Sequence, residues 1–189
     1  MTIFEYFMVL LSVMLSLALA QLVTGAGELI RARGLVRWSF GYALWLVIGF
    51  LLVLDWRTSL WLVRGVGQWR LVTLVFMLLQ ASTIYLYVLW LVPKGAGDSE
   101  IDLRDYLVTN RRLFLTAFGI YCVLGWITNV MILPPEAMMD LANYATLGPA
   151  LALTVLAWVT SNRWVHRLVP VAVLGMMIAY FALYFQTIG

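Results

Sequence analysis

The chain is predicted to be an all-α integral membrane protein with six transmembrane helices in one bundle, and three observations predict it. Of its 189 residues 64% are hydrophobic and only 11% charged, with a mean hydropathy of +0.96, a mix that cannot dress a water-soluble surface. Six apolar stretches run through it, at about residues 3–24, 38–56, 69–92, 113–132, 138–160 and 168–186. Crossing ~30 Å of hydrocarbon takes ~20 helical residues, and the short alternating segments of a transmembrane barrel are missing. The connections are brief and hold no polar block of domain size, so residues 1–189 are read as a single transmembrane helical domain.

The first stretch imitates a signal peptide, because Ala18-Leu19-Ala20 resembles a small-residue cleavage site. No Lys or Arg precedes the apolar run, however, and Glu5 stands where positive charge would be needed, so it is read as helix one. Helix two is bracketed by Trp38 and Trp56 and carries Asp55 near its end. There a loop partner can satisfy the carboxylate; were the helix to continue through Leu62, Asp55 would be buried and become the candidate functional acid. Helix three carries Thr73, Met77, Gln80, Thr83 and Tyr87 at steps of three and four, with Gln80 near mid-span.

Pro93, Gly95 and Gly97 break helix three. Ser99 followed by Asp102 resembles a capping box, and Leu103, Tyr106 and Leu107 give one apolar edge opposite Glu100, Arg104 and Asp105. The pattern predicts either a short interfacial helix near 100–110 or a solvated start to helix four. Helix four holds Asn129 and the lone Cys122, read as a small apolar filler. Helix five sets Asp140, Asn143, Ala150, Thr154, Ala157 and Ser161 on one face with Thr146 beside it, and Gly148-Pro149 near its centre predicts a kink. Helix six spaces Ala172, Gly175, Ala179, Ala182 and Gln186 by three, four, three and four, a close-packing face toward a helix of the same chain or of another copy.

Counting Lys and Arg by connection sets the orientation. Arg31, Arg33, Arg37, Lys94, Arg104, Arg111, Arg112, Arg163 and Arg167 fall on one side, and only Arg57, Arg64 and Arg70 on the other. The nine-residue side is expected to be cytoplasmic, with both termini non-cytoplasmic, and the net charge of +3 is a topology signal rather than a nucleic-acid footprint. Trp38, Trp56, Trp61, Trp69, Trp90, Trp158 and Trp164 lie at or near predicted helix ends, as headgroup belts do; Trp45 and Trp126 sit deeper. Three helices precede the long connection and three follow it, the arithmetic of an inverted repeat, yet no motif aligns between the halves.

Intramembrane polar residues are the natural place to look for function. The candidate polar interior comprises Ser12 and Ser16 of helix one, Gln80 and Thr83 of helix three, Asn129 of helix four, and Asn143, Thr146 and Thr154 of helix five. Such stripes either line a hydrated path or glue helices together through hydrogen bonds. Gly175, Ala179 and Ala182 are the candidate packing face. His166 is the only histidine, expected to meet solvent or headgroups, and with a single cysteine no zinc, haem or Cys-His pattern is available. No catalytic residue, metal ligand or cofactor is expected. The reading is a non-enzymatic, multi-pass protein of a bacterial inner membrane, with the lipid bilayer and either itself or another membrane protein as partners. It is expected to act as a structural or accessory subunit of an assembly, or alternatively as a channel or carrier for a small neutral solute or ion. A lipid-modifying enzyme using Asp55, Arg57 or Asp140 is a third reading.

Overall fold

In a computed structural model the described residues are 3–62, 69–94, 100–132 and 147–184. They form six helices and one pair of two-residue strands: α1 (Ile3–Arg31), β1 (Val36–Arg37), α2 (Phe40–Leu62), α3 (Leu71–Leu91), β2 (Ile101–Asp102), α4 (Leu103–Ile132), α5 (Leu147–Val159) and α6 (Arg163–Tyr184). Four helical segments, Glu5–Arg31, Leu71–Leu91, Leu103–Ile132 and Arg163–Ala182, are long and apolar enough to cross a membrane.

Neighbouring helices close a ring in the order α1, α3, α4, α5, α6, α2, with α2 also touching α3 and α4 across it. The α3–α4 interface is the most extensive, and of the four membrane-length helices α1 and α6 bury the least of their length. Among the described residues no α4–α6 interface matches the one between α1 and α3. The surface is apolar: Val13, Leu17, Phe50, Val75, Leu79, Ile120, Val155 and Ile178 all face outward, as suits a hydrocarbon solvent and would not suit water.

The connections after α1, α3 and α5 gather at one end. Val36 and Arg37 pair in parallel with Ile101 and Asp102, and the amide of Ile101 donates to the carbonyl of Leu35 at 2.9 Å. Gly41, in the first turn of α2, lies against the backbone carbonyl of His166 at the start of α6; a Cβ there would sit 3.2 Å from that oxygen. Pro170 lacks the N–H that would bond this carbonyl within the helix, which leaves it free to face Gly41. All nine of the basic residues assigned to one side by sequence belong to this end of the bundle or its approaches.

Several boundaries differ from the sequence reading. α1 runs on to Arg31 because Gly25 and Gly27 sit in ordinary helical backbone; Gly25 fits where a Cβ would collide with Val92 Cγ1, on the residue that follows α3. No separate interfacial helix occurs near 100–110: with neither Pro nor Gly until Gly119, the segment from Leu103 is the first part of one 30-residue α4. Asp102 caps it, its carboxylate accepting the amides of Arg104 at 2.9 Å and Asp105 at 3.3 Å, the role sequence gave to Ser99. At ~1.5 Å per residue α4 is ~45 Å long, so about its first ten residues extend past a ~30 Å hydrocarbon layer. Pro149 lies in the first described turn of α5, and the expected mid-helix kink falls outside the described residues.

Candidate functional site

Among the described residues, one half of the bundle is filled by interlocking rings and the other surrounds a cavity. At the end of the paired strands, Trp45 of α2, Tyr87 of α3 and Phe114 and Phe118 of α4 interlock edge-to-face and tilted, with Trp45 5.5 Å from Phe114 and 6.0 Å from Phe118. The Tyr87 hydroxyl donates to the carbonyl of Trp45 at 2.7 Å, so the α2–α3 contact is held by a hydrogen bond as well as by packing. The close approach passes over Gly49, whose Cβ would lie 2.9 Å from Leu22 and 3.1 Å from Tyr87.

Beyond Phe118, toward the end where α2, α4 and α6 finish, the helices part around a cavity of about 170 Å³, room for several waters. Among the described residues five helices, α2 to α6, wall it, and none of the lining belongs to α1. Asp55 reaches it from α2, four residues or ~6 Å past the middle of that helix. The Tyr121 hydroxyl, from α4, donates to Asp55 Oδ2 at 3.1 Å and holds the carboxylate against the wall. Gln80 enters from α3 opposite Gly125 of α4; a Cβ on Gly125 would stand 2.9 Å from Gln80 Nε2, so the glycine makes room for the amide. Asn129 and Thr128 add two more polar groups from α4, although the Thr128 hydroxyl donates to Leu124 of its own helix.

The remaining wall is soft and aromatic. Trp56 and Phe118 close one side, and Met176, Met177 and Tyr180 of α6 close another. Trp56, expected at the membrane boundary, is 4% exposed because α2 continues to Leu62 instead of ending beside it. The same extension carries α2 past Asp55, which stands half-buried on the cavity wall. Cys122 also borders the space. Among the described residues no three His, Cys, Asp or Glu side chains gather.

The other sequence candidates divide. The α3 stripe of Thr73, Met77, Gln80, Thr83 and Tyr87 is buried throughout, but only Met77 and Gln80 line the cavity; Thr83 donates to the carbonyl of Gln80. Thr154 is buried on α5 and donates to Ala150 of its own helix, while Asn143 and Thr146 lie outside the described residues. Ser12 and Ser16 are not interior: α1 turns Leu11, Leu15, Ala18, Leu22 and Leu29 inward, spaced by three, four or seven, which rotates both serines and Ala20 to the outer surface. Gly175, Ala179 and Ala182 also face outward, with nothing within 4 Å of a Cβ built on Gly175. His166 is buried, its Nε2 2.9 Å from the carbonyl of Thr160, because it folds back under the α5–α6 connection instead of meeting solvent. Sequence reading missed Tyr121 and Gly125, since a tyrosine and a glycine in an apolar helix announce nothing until their partners across the bundle are known.

No protein-family model, curated protein or solved structure matches the chain.

Proposed function

We propose that this is a six-span, multi-pass protein of a bacterial inner membrane that binds a small solute in the cavity between α2 and α6, without catalysis, in the manner of a carrier and not of an open channel. One observation carries the reading: polar side chains from three helices, Asp55, Gln80, Tyr121, Thr128 and Asn129, converge on one space whose other described lining is mostly apolar and aromatic. A mostly apolar pocket with a few convergent polar groups is the usual form of a small-molecule site, and a carboxylate at membrane depth is costly enough to imply use. A continuous pore is disfavoured by the ring cluster that fills the opposite half and by the outward turn of Ser12 and Ser16.

Solute entry tests this directly. In a Cys122→Ala background, Asn129→Cys is expected to react with methyl methanethiosulfonate, a small neutral reagent, in the detergent-solubilised chain, read as a mass increase. Adding Ala150→Trp, which fills the space, is expected to slow that reaction about tenfold or more, while Phe114→Cys in the packed half stays inert. Equal labelling with and without the filling substitution overturns the proposal.

A second reading, a subunit of an assembly or homo-oligomer, is favoured by the outward face of Ala172, Gly175, Ala179 and Ala182 on α6, where small side chains would let another helix approach closely.

A further inference from the structure

We infer that the solute taken by this cavity is a small organic cation carrying an apolar group, such as a substituted ammonium, bound between the Asp55 carboxylate and the surrounding rings; the inference rests on the cavity being a solute site. The chemistry of the wall is one-sided. Asp55 supplies a carboxylate, and among the described lining residues there is no Lys, Arg or His to attract an anion. Trp56, Phe118, Tyr121 and Tyr180 border the same space. Aromatic faces carry negative potential, which draws ammonium groups and repels carboxylates and sulfonates, and rings set around a quaternary ammonium are a recurrent means of recognising it.

The remaining lining agrees with that choice. Met77, Met176 and Met177 are polarisable and adaptable, suited to an alkyl or aryl substituent of variable shape. Gln80 and Asn129 present neutral amides, which accept hydrogen bonds from an N–H without adding charge. The Tyr121 hydroxyl fixes one carboxylate oxygen at 3.1 Å, so the acid is positioned before a ligand arrives. A cation entering this space gains a fixed counter-charge in surroundings of low dielectric, whereas an anion meets like charge and ring faces together.

The experiment is equilibrium dialysis of the full chain in detergent, corrected with empty micelles, using benzyltrimethylammonium, its neutral carbon isostere neopentylbenzene, and anionic benzylsulfonate. The ammonium is expected to bind and the other two neither to bind nor to compete. Asp55→Asn is expected to weaken ammonium binding about tenfold or more, and Trp56→Leu several-fold. Should Asp55→Asn fail to fold, Trp56→Leu together with the preference among the three probes still decides. Neopentylbenzene or benzylsulfonate binding as well as the ammonium, or ammonium binding indifferent to both substitutions, overturns the cation assignment and leaves the cavity standing. No binding of any probe, with methyl methanethiosulfonate still entering at Asn129→Cys, also overturns the cation assignment alone. No binding and no entry overturn both proposals.

Discussion

Single atoms at Gly25, Gly49 and Gly125 decide how closely these helices meet. At Gly25 a methyl group would collide with Val92 Cγ1 at 2.1 Å, whereas at Gly27, half a turn further along the same helix, nothing lies within 4 Å. Gly25→Ala is therefore expected to lower stability in detergent by ~1–3 kcal/mol through overpacking. Gly27→Ala is expected to be neutral or to raise it by up to ~1 kcal/mol by removing backbone freedom. Thermal or chaotrope unfolding of the two variants side by side checks this, and Val92→Ala is expected to relieve most of the Gly25→Ala defect. Equal effects of the two alanines would show that α1 does not seat against α3 as described.

At the scale of the helix, inward and outward faces follow from the spacing of large and small side chains only in part. On α3 the polar stripe and the buried face coincide, since every residue of that stripe is buried. On α1 and α6 small or polar residues at regular spacing turn out to face outward, because periodicity identifies a face without saying which side of the bundle it addresses. Gly175→Leu on α6 is accordingly expected to leave the unfolding temperature of the isolated chain unchanged while reducing assembly size by native mass spectrometry in mild detergent. An unchanged assembly size would assign that face to lipid, and a large loss of stability would contradict its outward placement.

For the molecule as a whole, helical character was legible from composition and stretch length alone, while of the six spans read from the sequence four correspond to described helices long and apolar enough to cross a membrane. Asp55, Gln80 and Asn129 were legible as polar residues in apolar runs, and the dependence of Asp55 on where helix two ends was explicit in the sequence. What sequence could not supply was convergence: the pairing of Asp55 with Tyr121 joins residues 66 apart, and Gly125 matters only because Gln80 lies opposite it. The ends of α1 and α4 were misplaced for a different reason, in that Gly25 and the polar run from Arg104 to Arg112 are compatible with helix once neighbouring elements support them. The gathering of three basic connections at one end makes orientation testable. In intact cells a Glu100→Cys, Cys122→Ala variant is expected to resist a membrane-impermeant maleimide until the membrane is permeabilised; labelling from outside would reverse the assigned sides.

The walls of the cavity also impose an order on synthesis. Asp55 and Gln80 emerge with the first three helices, but Leu147, Ala150, Val173 and Met177, which close the space around them, belong to the last two. Until α5 and α6 arrive, the Asp55 carboxylate, to which Tyr121 donates, and the Gln80 amide, opposite Gly125, lack the part of the wall that those two helices supply. Closure of the cavity therefore waits on the last two helices, and the polar groups that α2 and α3 bring to it gain their full surroundings only when the second half of the chain has packed.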